Sequence, residues 1–143
     1  MSTRARIGVM NADNTVTSIY THNDGYISHH GPILLNHYGT EAKARELLAL
    51  GALSRLAGNL GEKHNFDTSY TEHPDWCCAY SRDRSALSGA LSSIKDAAFT
   101  HALNEFPGEE FNYLFRNGRW EVSEDCRVWK DLFLEIVTER LTS

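Results

Sequence analysis

Apolar and polar positions in the first part of the chain fall into two β-favouring runs, RIGVM and VTSIYT, with the polar stretch NADNT between them. Such a pattern predicts a β-hairpin over about residues 5–21. The pattern then changes to a helical one. In GPILLNHYG, Pro32 suits a first helical position and Gly39 a C-terminal cap, which predicts a short helix between them. Thr40 is placed to cap EAKARELLALG, with Glu41 at the positive end of the helix dipole, Gly51 closing the helix and Leu47, Leu48 and Leu50 on its buried side. Residues 52–75 carry no regular period. WCCAYS, residues 76–81, reads as a third strand, and Ser93 and Asp96 have capping-box spacing for a helix over about 94–105.

EFNYLFRNGRWEVS gives the sharpest local expectation. Asn117-Gly118 favours a two-residue type I′ turn, which sets Phe115 against Trp120, Tyr113 against Val122, Leu114 against Glu121 and Arg116 against Arg119. Beyond it, Trp129, Leu132, Phe133, Ile136 and Val137 form an apolar stripe on a helix over about 126–141, read as core packing. These elements make an α+β chain: an antiparallel sheet of about five strands with helices mainly on one face, in a single domain over residues 1–143.

At 143 residues the chain can bury a core without staples. A formal charge of −5 argues against a general nucleic-acid binder. Cys77, Cys78 and Cys126 are odd in number and two are adjacent, which fits a reducing compartment better than a disulfide framework. MSTRARIGVM has no apolar signal core, and no run approaches the ~18 apolar residues of a membrane span. The expectation is a soluble, intracellular protein.

Candidate chemistry gathers in a few places. YTHNDGYISHHG, residues 20–31, crowds three histidines, an aspartate and two tyrosines into one stretch. His22 and Asp24 share a face only if the strand continues, while His29 and His30 are neighbours that point apart in regular structure. Asp24-Gly25 is a turn signal, so the stretch reads as a turn displaying Tyr26 rather than as a metal centre. In YSRDR, residues 80–84, Arg82 and Arg84 flank Asp83 and project to one side of an extended chain. The pattern reads first as an exposed ion-pair cluster at a strand end and, as the alternative, as two guanidiniums that can clamp a phosphate or a carboxylate. The opposed Arg116 and Arg119 call for neutralisation, by Glu121 or by an acidic partner. Cys77-Cys78, with His73 nearby, reads as one buried thiol rather than a catalytic one. No Gly-rich phosphate loop, G-x-S-x-G or H-E-x-x-H pattern occurs.

Ser2–Ala5, Ile7-Gly8, His22, Asp24-Gly25-Tyr26, Gly31, EKHNF, SRDR and FRNGRW together resemble a group of small tailed-bacteriophage proteins, whose members carry STRA-IG, H-W-D-G-Y-P, G-R-D-R and F-R-N-G-x-W. The resemblance runs from residue 2 to about 122, with Asn23 in place of Trp, Ile27 in place of Pro and Ser81 in place of Gly. It implies a viral origin and a role in the cytoplasm of an infected host. The expected function is an accessory protein, without catalysis, cofactor or metal, that binds a host protein of defence or metabolism through His22, Asp24, Tyr26, Arg82 and Arg84. The alternative is a protein that sequesters a signalling nucleotide, with Arg82, Arg84, Arg116 and Arg119 on phosphates and Tyr26 or Tyr80 on a base, at a subunit interface if the chain forms a homo-oligomer. A third reading is a hydrolase using the His22/Asp24 pair.

Overall fold

The computed structural model describes residues 3–84 and 97–142. The predicted hairpin is present as β1 (Ala5–Met10) and β2 (Thr15–Thr21), paired antiparallel from Ala5↔Thr21 to Met10↔Val16. Asn14 turns the chain between them at φ 69°, a conformation that Asn tolerates better than most residues.

Two helices follow. The first, α1 (Ile27–His37), starts five residues before the position expected from Pro32, which lies inside it. The first four N–H groups of a helix have no internal partner, so at this position Pro32 removes a single bond, the one owed to the Ser28 carbonyl. Gly31 lets the C-terminal helix approach closely: a Cβ here would lie 2.7 Å from Ile136 Cδ1. The second, α2 (Glu41–Leu48), is capped as predicted, with Thr40 Oγ1 accepting from the Lys43 N–H at 3.2 Å.

The chain then makes β3 (Leu53–Arg55), a 3-10 turn over Phe66–Thr68, α3 (Ser69–Glu72), β4 (Cys78–Ala79) and α4 (Tyr80–Asp83). The capping pair Ser93/Asp96 lies outside the described residues. The rest of the helix expected there is replaced by β5 (Phe99–Ala102) and a 3-10 turn over Leu103–Glu105. The hairpin β6 (Phe111–Arg116) and β7 (Arg119–Ser123) has the register read from Asn117-Gly118, both of which sit at positive φ, 56° and 76°. The chain ends in β8 (Lys130–Asp131) and α5 (Leu132–Thr142), so the last helix starts later than expected and excludes Trp129.

The sheet is α+β in context but is not the five-stranded antiparallel one expected. Among the described residues it has eight strands in a mixed arrangement, ordered β4-β3-β2-β1-β6-β7-β8, with β5 on β2. β1 pairs β6 in parallel, Ala5↔Phe111 to Val9↔Phe115, and β2 pairs β3 in parallel at Thr21↔Leu53. β5 pairs the first half of β2, Thr15–Ser18, and β3 its last residue. The strands β3, β4 and β8 are two or three residues long, too short to show a period.

Alternation along the strands sorts the two faces of the sheet. Ala5, Ile7, Val9, Ile19, Tyr113, Phe115, Trp120 and Val122 form one buried cluster with Leu34 and Tyr38, with Ala44 and Leu47 of α2, and with Leu132 and Ile136 of α5. Val16 and Leu114 point the other way, into a smaller cluster closed by Phe106, Leu103, Cys126 and Trp129. Polar anchors tie loops to this frame: Trp120 Nε1 donates to the Tyr38 carbonyl at 2.8 Å, Tyr38 Oη to Ala57 at 2.8 Å and Tyr113 Oη to Gly25 at 2.6 Å. Replacing Tyr113 by Phe leaves the Gly25 carbonyl without that donor. We expect a loss of about 1–2 kcal/mol in urea unfolding, with the m-value unchanged.

Candidate functional site

The stretch 20–31 leaves β2 as a turn and enters α1. The His22 N–H donates to the Leu53 carbonyl at 2.9 Å, and its Nδ1 shares a 2.8 Å hydrogen bond with Tyr20 Oη. Asp24 sits at φ 59°, and the Gly25 N–H donates to the Thr3 carbonyl at 2.8 Å. A Cβ on Gly25 would lie 2.6 Å from Ala5 Cβ, so the strand and turn meet only through a glycine. Tyr26 precedes α1 in extended backbone, its ring edge-on to His29 and 40% exposed.

His29 and His30 lie in the first turn of α1, apart from His22. The His30 ring is fully buried, bonded through Nε2 to Thr21 Oγ1 at 2.9 Å and through Nδ1 to His29 Nδ1 at 3.0 Å. Burial, reinforced by the His29 imidazole, holds it at about 3 against an ordinary 6.5, with the Asp24 backbone opposing. His30 is therefore neutral at pH 7. The histidine crowding noted in the sequence resolves into a turn that displays Tyr26 and a buried ring that supports it.

Tyr80–Asp83 is helical, not extended, and Arg84 follows it in extended backbone. α4 turns Arg82 inward, where its guanidinium reaches Asp83 through Nε at 2.8 Å and Nη2 at 3.1 Å, the Leu60 carbonyl at 2.8 Å and the Cys77 carbonyl at 2.9 Å. Arg84 instead stacks over the Tyr80 ring at 4.4 Å and approaches Phe66 at 5.8 Å. The two arginines serve different neighbours and form no common clamp.

Asp83 is the centre of a polar node assembled from separate parts of the chain. Its side chain is fully buried and also accepts from the backbone N–H groups of Ala79 at 2.8 Å and His64 at 3.2 Å. His64 Nδ1 lies 2.7 Å from the Glu62 carbonyl and 3.4 Å from Asp83 Oδ1, while Nε2 lies 2.6 Å from Ser69 Oγ. Arg55 Nη2 donates to the same Ser69 oxygen and to the carbonyls of His73 and Trp76. Two of the segments that carried the phage resemblance, EKHNF and SRDR, meet here.

The line Ser69–His64–Asp83 has the order of a nucleophile, base and orienting acid, and ligand atoms of His64, Cys78 and Asp83 lie within 4.8 Å of one another. The bonding assigns the node a different task. Four donors fill the acceptor sites of Asp83, both His64 nitrogens are engaged, and Ser69 and Cys78 are buried. Burial also pushes the Cys78 thiol up, away from the thiolate. A saturated buried network rigidifies what it joins. This one latches the segment from Leu60 to Asp83 onto the sheet edge. At Gly61, φ is +68° and a Cβ would lie 2.5 Å from the Trp76 ring, so the latch also needs a glycine.

Both adjacent cysteines are buried, rather than one of them: Cys77 Sγ contacts the Ala57 backbone and Tyr38 Oη, and Cys78 is hydrogen-bonded to the Ser69 side chain. His73 stacks on Trp76 at 3.8 Å. At the hairpin, Arg116 is ion-paired to Glu121, and Arg119 lies 3.9 Å from Asp131. The four arginines of the sequence reading are not brought together. Arg82 and Arg84 follow β4 while Arg116 and Arg119 border β6 and β7, and the four inter-strand steps from β4 to β6 span roughly 19 Å.

Two residues that the sequence reading assigned to the core, Phe133 and Val137, are exposed instead. On α5, Leu132 and Ile136 are buried, but Phe133, Leu134, Val137 and Leu141 face outward, Leu141 at 81% exposure. At 100° per residue these four fall on one arc of about 100°. The stripe read from the sequence straddled both faces: it grouped Phe133 and Val137 with the buried Leu132 and Ile136 and left out Leu134 and Leu141. A groove of about 280 Å³, lined by Ser28, Pro32, Ile136, Glu139 and Arg140, lies between α1 and α5. Another of about 310 Å³, built mainly around Ser123, Asp125, Val128 and Lys130, reaches α5 at Glu135. Among the described residues, no helix is long and apolar enough to cross a membrane. Neither a protein-family model, nor a curated protein, nor a solved structure matches the chain.

Proposed function

We propose that this chain is a phage-encoded accessory protein that docks in the host cytoplasm onto a host protein of defence or metabolism and modulates it by binding. The observation that carries the docking role is the outward stripe of Phe133, Leu134, Val137 and Leu141, an apolar face with the spacing of helix-in-groove recognition. The viral origin and the host setting rest on the sequence resemblance.

The stripe fits a partner with a concave apolar site better than a second α5. Eleven helical residues extend only ~16 Å. Two such helices side by side bury well under the ~800 Å² per partner of a stable interface. A groove that wraps the helix and also engages the α1–α5 cleft covers more. Arg82, held in the latch, contributes through the shape of the loop and not as a contact.

Tagged wild-type protein and the Leu134→Asp/Val137→Asp variant, recovered from infected cells, test the reading. The wild type is expected to retain one host polypeptide in near-equal amount, and the variant to lose it at unchanged helical signal. Equal retention by both, or recovery of copies of this chain alone, would overturn the docking assignment.

A further inference from the structure

The sheet face opposite α5 carries a groove of about 630 Å³, lined by Asn14, Leu103, Asn104, Arg116, Arg127 and Trp129 among its residues. Its builders come from four turns and strand ends. Asn14 is in the β1–β2 turn, and Leu103 and Asn104 are in the 3-10 turn after β5. Arg116 ends β6, and Arg127 and Trp129 precede β8. Trp129 is fixed by an edge-on contact to Phe106 at 5.4 Å and stays partly exposed. An indole held on one side and open on the other is a platform for a planar ring.

Most of the donors around that platform are unspent among the described residues. Arg116 uses Nε on Glu121, and neither of its Nη atoms makes a hydrogen bond among the described residues. The Arg127 guanidinium makes no ion pair or hydrogen bond there either. Its neighbour Asp125 is committed elsewhere, accepting from Ser123 Oγ and from the backbone N–H groups of Arg127 and Val128. The side-chain amides of Asn14 and Asn104 likewise have no partner among the described residues. Two guanidiniums, two amides and an indole thus converge on one concavity. Guanidiniums recognise phosphate through paired donors, and an amide matches the edge of a base.

We propose that this groove binds a free nucleoside monophosphate, its base on Trp129 and its phosphate between Arg116 and Arg127. The site replaces the four-arginine arrangement of the sequence reading, keeps only Arg116 from it, and does not depend on docking through α5. The chain's charge of −5 favours a free nucleotide over a polynucleotide, whose binding draws on a basic surface.

Isothermal titration calorimetry with AMP, GMP, CMP and UMP, and with a short single-stranded oligonucleotide bearing a 5′-phosphate, tests the proposal. At least one mononucleotide is expected to bind saturably. Arg127→Glu should weaken it at least tenfold, Arg127→Gln less, and Leu134→Asp not at all. No saturable mononucleotide binding up to millimolar concentration, or equal affinity in Arg127→Glu, would overturn the site. An oligonucleotide binding more tightly than every mononucleotide would overturn the free-nucleotide assignment.

Discussion

Asp83→Ala is expected to destabilise the protein by about 3–5 kcal/mol, the size associated with breaking a buried ion pair from one side. The wild-type carboxylate is fully buried and bonded to Arg82 Nε and Nη2 and to two backbone N–H groups. Its removal leaves a largely buried guanidinium without its counter-ion, and two buried N–H donors without acceptors. For a chain of this length the loss corresponds to a fall in Tm of roughly 10–15 °C. Urea unfolding of the single variants and of Arg82→Ala/Asp83→Ala measures it. The double variant should cost clearly less than the sum of the singles, because both remove one shared contact. A loss below about 1 kcal/mol in Asp83→Ala, or strict additivity, would refute the latch.

The second large effect is on pH dependence. His30 is neutral and buried, held at about 3 against 6.5, and burial also lowers His29. The unfolded chain therefore binds more protons than the folded one between pH 6.5 and about 3. Stability from His30 is complete above pH 6.5 and is lost as the pH falls through that window. Between pH 7 and pH 5 His30 alone should remove about 2 kcal/mol, with His29 acting in the same direction. Asp125 is held down to about 2 by the N–H groups of Val128 and Arg127 and by Ser123, so its contribution falls away only at more acidic pH. Urea midpoints at pH 7 and pH 5 should move much less in His30→Gln than in the wild type. The same pH sensitivity in both would place the titrating group elsewhere.

What the sequence disclosed follows from the range of the interactions involved. Asn117-Gly118 set the β6–β7 register because a two-residue turn needs positive φ at both positions. Thr40 likewise announced its helix through a cap bond three residues away. Non-local pairings left no such trace. Nothing in RIGVM or FNYLFR says that they lie side by side in parallel, and the single bridge Thr21↔Leu53 has no period to read. The same divide runs through the candidate sites. Asp24-Gly25 was legible as a turn. The node was not, because His64 and Asp83 are far apart in sequence and the helical Tyr80–Asp83 reverses the sense of Arg82. The only hint was an aspartate set between two arginines.

Photo-crosslinking from α5 tests the central claim, docking of a host protein on the outer face of that helix, most directly. A benzophenone amino acid at Leu141, the most exposed of the four apolar residues, and a control at the exposed Glu62 are compared in infected cells. The account predicts one host polypeptide attached through position 141 and not through position 62. Attachment through position 62 instead, or only to a second copy of this chain, would contradict it.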